Sequence, residues 1–243
     1  MMEIFYVLLF VVAALYASVG HGGASGYLAL MAIYGFAPEE MKPTALLLNL
    51  FVSMTSFIQF YRGKYFLLRL FLPLAIASVP MAFIGGMISM EAGIYKKILG
   101  VLLLLAVARF FFFRNARPDE MRPVNTWGAV AIGAAIGLLS GMIGIGGGII
   151  LSPMLLLLKW TDQKQTAAIS ALFIFVNSVA GLAGQFTKGI VLNSQMVLYV
   201  AIAFAGGLAG AYFGALKFKQ TILKNVLAVV LLLAAYKLIF TKA

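Results

Sequence analysis

Two glycine clusters and one histidine are the residues of this chain best placed to do chemistry. Gly20-His21-Gly22-Gly23-Ala24-Ser25-Gly26 follows the first apolar run, and Gly144-Ile145-Gly146-Gly147-Gly148 stands at the corresponding point of the second half. Glycines this dense interrupt a helix, and each cluster is followed by a fresh apolar run, so each starts a new helix inside the protein. A helix start presents free N–H donors and a partial positive charge, which suits an anion. The competing reading is that the glycines merely let helices pack closely. His21 is the only histidine. Its imidazole can bond an anion or change protonation during a cycle, or can stay neutral against backbone carbonyls. Its counterpart is Ile145, so whatever His21 does lacks twofold symmetry.

A second tier of polar residues lies inside apolar runs. Asn49, Ser53 and Ser56 share one helical face, and Ser170, Asn177 and Ser178 approximately share another. Hydrogen bonding between helices is the ordinary use of such residues, with Asn49 and Asn177 the better candidates for lining a cavity. The expected substrate-binding set is therefore Gly20, His21, Gly22, Gly23, Ser25, Asn49 and Ser53 in the first half, and Gly146, Gly147, Gly148, Asn177 and Ser178 in the second. All seven acids (Glu3, Glu39, Glu40, Glu91, Asp119, Glu120, Asp162) fall near termini or loops. That argues against a cation site or a carboxylate proton relay, which needs an acid where it is costly to keep one. With no cysteine, no histidine cluster, no phosphate loop with its lysine and no nucleophile elbow, neither a metal, a cofactor nor an enzyme is expected.

The elements that must position these residues follow from composition. Of 243 residues, 63% are hydrophobic and only 10% charged, and mean hydropathy is +1.05. A soluble domain carries about a quarter of its residues as charges, so a soluble, disordered or nucleic-acid-binding chain is excluded. The net charge of +11 comes from basic residues set between apolar runs, where they act as topology determinants rather than as a nucleic-acid face. The partner is a lipid bilayer, and the fold class is all-α: a polytopic membrane protein. The start, Met-Met-Glu before an apolar run, lacks the positive region of a cleaved signal and reads as a retained first segment.

Cutting at charges and turns gives apolar stretches at 4–19, 22–36, 43–61, 69–89 and 95–113, then 126–143, 146–158, 165–187, 193–216 and 221–240. A span needs roughly 20 apolar residues. The last three stretches of each half are long enough, and the first two are expected to be short, glycine-broken or re-entrant. The loop at Pro38–Lys42 is read as external. Matches between halves recur in order: the glycine clusters, Thr44-Ala45 with Thr166-Ala167, Gln59-Phe60 and Gly63 with Gln185-Phe186 and Gly189, Lys96 with Lys224. The organisation is thus an N-terminal membrane repeat over 1–113, a basic cytoplasmic linker over 114–125 and a C-terminal membrane repeat over 126–243. Five segments per half require the second copy to be inverted. The positive loops 61–69, 114–122 and 217–224 all fall inside on that reading, with both termini outside. Inverted repeats interrupted by glycine at matched positions are the signature of secondary transporters.

Gly20-His-Gly-Gly and Gly144-Ile-Gly-Gly-Gly-Ile-Ile-Leu-Ser-Pro153, each followed by a Thr-Ala-bearing span, resemble the sulfite exporter TauE/SafE family of membrane transporters across essentially the whole chain. The first copy departs from the pattern, with Ala24-Ser25-Gly26 and no following proline. The resemblance implies export of a small sulfur-containing anion, such as sulfite or an organosulfonate, at the plasma membrane. An anion channel and a non-transporting membrane scaffold are the alternatives.

Overall fold

A computed structural model of the protein describes residues 2–18, 22–112, 121–190, 194–214 and 220–240. All regular structure among them is helical, in the order α1 (Met2–Ser18), α2 (Ala24–Tyr34), α3 (Pro38–Arg62), α4 (Leu68–Met87), α5 (Ala92–Phe112), α6 (Thr126–Ile143), α7 (Gly148–Leu157), α8 (Gln163–Phe186), α9 (Ser194–Gly214) and α10 (Gln220–Phe240). The termini carry their expected punctuation. Asp162 and Gln165 form a capping box at the start of α8, and Gly35 closes α2 in the left-handed conformation, its N–H returning to Ala32 and Met31 carbonyls.

Two expectations change. The first segment of the second half is not short: α6 has 18 residues, about 27 Å at 1.5 Å per residue, and is long and apolar enough to cross a membrane, whereas α1, with 17, stays among the shorter apolar helices as expected. Only α2 and α7, with 11 and 10 residues, are half-length. The second change is at 38–42, expected as loop. Here α3 already begins at Pro38, with Glu39 and Glu40 in its first turn. Proline fits the first helical position and acids favour a helix start, so charge there did not signal a break.

Each short helix folds back along the long one before it. The ring of Phe5 at the start of α1 lies 5.2 Å from Tyr34 at the end of α2. The Arg122 N–H bonds the Lys159 carbonyl at 2.8 Å, joining the approach to α6 with the exit of α7. Two ends of the bundle emerge. One gathers Lys188 with Ser89 and Lys237 with the Ile33 carbonyl. The other gathers Lys164 with Tyr65 and Arg122 with Lys159. The chain enters α1 at the first end and α6 at the second.

Packing comes in pairs under exchange of α1–α5 with α6–α10. The largest interfaces are α4 with α6 and its counterpart α9 with α1; α3 pairs with α8, and α5 with α10. Glycine backbones make the paired contacts close. Gly133, Gly137 and Gly141 of α6 rest on the carbonyls of Leu74, Ser78 and Ala82 of α4, while Gly206 and Gly210 of α9 rest on those of Phe10 and Ala14 of α1. Without a hydrophobic drive between helices in lipid, such approach supplies dispersion contact. Peripheral side chains such as Ile4, Val7, Ile76 and Val101 are exposed, as a lipid-facing surface requires. At the centre, fifteen of the 24 residues of α8 are buried.

Candidate functional site

The glycine clusters do break the chain. Gly23 caps α2 with φ of 83° and Gly147 caps α7 with φ of 81°, neither start being capped by a side chain. They stand 124 residues apart, the offset that also separates Gly20 from Gly144. Gly144 and Gly146 share the positive φ, at 87° and 71°. L-residues pay about 1–2 kcal/mol in this region, so a side chain at these positions would resist the reversal that ends one helix and starts the next. The outcome is two buried helix starts whose first-turn N–H groups have no side-chain cap.

Both breaks converge on the same two side chains. A Cβ on Gly22 would lie 3.0 Å from Ile174 Cγ2 and 3.3 Å from Asn49 Oδ1. One on Gly146 would lie 2.7 Å from Asn49 Nδ2, 2.8 Å from Ile174 Cγ2 and 3.2 Å from Ser178 Oγ. Asn49 Nδ2 also makes a long 3.5 Å contact to Ser178 Oγ, joining α3 to α8. Beside them is a small cavity of about 20 Å³, lined by Tyr16, Gly22, Gly23, Ala24, Ser25, Ile145, Ile149 and Ile174. Its wall is backbone, hydroxyl and aliphatic surface. The Asn49 amide stands at its edge, and the lining side chains include no carboxylate.

The structure therefore brings together Gly22, Gly23, Ser25, Asn49, Gly146 and Ser178. Ser25 Oγ and Tyr16 Oη share a hydrogen bond at 2.6 Å across α1 and α2. Gly147 acts through its backbone: a Cβ there would face Ile136 and Phe173, 2.8 Å from each. A Cβ on Gly148 would press on Ile174. Ser53 is buried one turn below Asn49, its Oγ without a partner. Asn177 donates Nδ2 to the Phe173 carbonyl at 2.8 Å and keeps a buried, unpartnered Oδ1, but is not part of the cavity wall. Ser170 makes the interhelical bond expected of such residues, to Ser152 Oγ at 2.8 Å. Gly20 and His21 lie outside the described residues.

Tyr16, Ile149 and Ile174 were not among the expected site residues. The signal for Ile174 was its position: four residues from both Ser170 and Ser178, on their face of α8. It fills the space between the breaks. Ile174→Ala should lower unfolding stability by about 2–4 kcal/mol through lost burial plus the cavity left behind, and Ile174→Val by about 1 kcal/mol. Thermal unfolding in detergent followed by circular dichroism checks both.

Comparison with known proteins agrees with this architecture. The family model for the sulfite exporter TauE/SafE matches residues 5–238. A protein of Sinorhizobium fredii named a probable membrane transporter is 35% identical over 237 residues, 95% of each chain. A similarly named protein of Bacillus subtilis is 25% identical over 223 residues, covering 84% of this chain and 81% of its own. A third, from Methanocaldococcus jannaschii, is 31% identical over 123 residues, 47% of this chain and 43% of its own. No solved structure matches the chain.

Proposed function

Since this chain belongs to the sulfite exporter TauE/SafE family of membrane transporters, we propose that it exports a small sulfur-containing anion, sulfite or an organosulfonate, across the plasma membrane. The observation that carries this reading is the meeting of two glycine-capped helix starts, at matched positions of the two halves, over one cavity whose lining side chains include no carboxylate. Their partial positive charges and N–H groups would hold the anion, with Asn49 and Ser178 turned toward it. His21, directly before Gly22 in sequence, completes the proposed set.

We read the halves 1–113 and 126–243 as an inverted repeat, and the paired packing and opposite starting ends of α1 and α6 support this. Rocking of one half against the other would expose the site to each side in turn. The end carrying Arg62, Lys64, Arg122, Lys159 and Lys164 would be cytoplasmic. An anion leaving a cell that is negative inside gains about 2.3 kcal/mol per charge per 100 mV, so export can proceed without a coupled ion.

The test is flux of labelled sulfite in proteoliposomes, with sulfate as competitor and with membrane potential and pH gradient set separately. Saturable flux that follows the potential and resists sulfate is expected. Flux that never saturates, with no exchange of labelled for unlabelled anion, would indicate a channel. Absence of both flux and anion-dependent stabilisation would indicate a scaffold.

A further inference from the structure

The mechanism above leaves a buried polar seam between α3 and α8 unexplained. The two helices run antiparallel: Asn49 meets Ser178, and Leu46 meets Gly181. Lys42, Asn49, Ser53 and Ser56 share one face of α3, at spacings of seven, four and three residues. Ser178, Gly181, Gln185 and Lys188 follow one another at three, four and three along α8 and its exit. Five polar atoms of this seam are buried without partners: Asn49 Oδ1, Ser53 Oγ, Ser56 Oγ and both amide atoms of Gln185. Each such atom costs about 1–3 kcal/mol, so a dry permanent seam is a poor structural device.

The seam ends on two lysines. Lys42 is half-buried, its Nζ 4.8 Å over the ring of Tyr95. Tyr95 in turn donates its hydroxyl to the Ile143 carbonyl at 3.0 Å, at the end of α6. A Cβ on Gly144 would lie 3.0 Å from the Lys42 Cα, so this lysine is pinned against the second break. Lys188 is close enough for its charge to act on Lys42, as is that of Glu39 one turn earlier. Lys188 Nζ donates to Ser89 Oγ at 3.0 Å. No ion pair joins either lysine to a carboxylate among the described residues. The antiparallel register sets Lys42 opposite the unsatisfied Gln185 amide, with the exposed Lys188 one turn further on, and two cations at one buried amide favour an anion.

We propose that Lys42 and Lys188, with the Gln185 amide one turn below, form a second oxyanion-binding station on the route from the glycine cavity to the outer end. The assignment rests on the transporter reading. Lys42 is its specificity-determining residue, because it is positioned both by Tyr95 and by the glycine break. The station recognises the transported oxyanion, and the phosphate of a lipid headgroup is the rival occupant that the test excludes.

Reconstituted Lys42→Gln, Lys42→Arg and Lys188→Gln proteins separate these possibilities. Lys42→Gln should raise the apparent KM for sulfite presented at the outer face about tenfold, the loss of roughly one charge-assisted hydrogen bond. The inner-face KM should stay within about twofold, and Lys42→Arg should restore most of the outer affinity. Lys188→Gln should shift the outer KM in the same direction. An unchanged outer KM in Lys42→Gln, with the wild type transporting, overturns the station and leaves the transporter reading intact. If the wild type carries no sulfite, binding decides. A sulfite-dependent rise in unfolding temperature in lipid-free detergent that is lost in Lys42→Gln supports the station. No such rise, or one produced by phosphatidylglycerol alone, overturns it.

Discussion

Replacing Gly146 with valine should reduce transport to background while the protein still inserts and keeps its helical circular dichroism. Two effects combine. The residue sits at φ of 71°, where a β-branched side chain is a genuine outlier and even an ordinary L-residue costs about 1–2 kcal/mol. Its side chain would also enter the space held by Asn49, Ile174 and Ser178, with the Cβ alone 2.7–3.2 Å from their atoms; overpacking of this kind costs about 1–3 kcal/mol. Both penalties fall on the break that shapes the proposed site, not on the helix seams. Gly35 provides the control. It has φ of 81° with nothing within 4 Å of an added Cβ, so Gly35→Ala carries the backbone strain alone. It should lower stability by about 1–2 kcal/mol and spare the glycine cavity. Equal loss of flux in both variants would mean that strain anywhere abolishes activity, and the glycine cavity would lose its special place.

The larger stability effect is expected at Gly141→Val. Its hydrogen faces the Ala82 carbonyl and the Gly86 nitrogen of α4, and it also touches Gly181 of α8. Three helices meet there on glycine. The atoms opposed are backbone, which cannot rotate away as a side chain would. Accommodation would require α4 and α6 to separate along the seam set by Gly133, Gly137 and Gly141, with loss of dispersion contact over its length. Such a variant should fail to accumulate as folded monodisperse protein in detergent, as seen by size-exclusion chromatography. Gly128→Ala, at the far end of the same helix with neighbours no nearer than 3.5 Å, should accumulate normally.

Much of this architecture was legible because the bilayer leaves few options. A chain with 63% hydrophobic residues must form helices that satisfy their own backbones, and charges and turn residues mark their ends. The ten apolar stretches correspond in order to the ten helices. Glycine breaks were legible for a related reason, since glycine enters the left-handed conformation of Gly23 and Gly147 at the least steric cost. Two kinds of information were not. Helix length was one, at α6: the stretch 126–143 reads as short, yet its 18 residues are long and apolar enough to span. Direction around a helix was misread at Lys42, treated as the edge of a loop although it lies on the face of Asn49. Ile174 escaped for a similar reason: an isoleucine in an apolar helix carries no compositional signal, and only its register with Ser170 and Ser178 marks it. Asn177 shows the opposite failure, a polar residue whose amide turns back on its own helix.

The proposal that an anion is held between the two glycine breaks and released to either side is most directly tested by cysteine accessibility. The chain has no cysteine, so Ser25→Cys places a single thiol in the cavity wall. With a membrane-impermeant thiol reagent applied to either face of oriented proteoliposomes, labelling is expected from both faces. Sulfite is expected to protect the thiol at the concentrations that half-saturate flux. Labelling from one face only, or labelling that no sulfur oxyanion slows, would contradict a central anion site with alternating access.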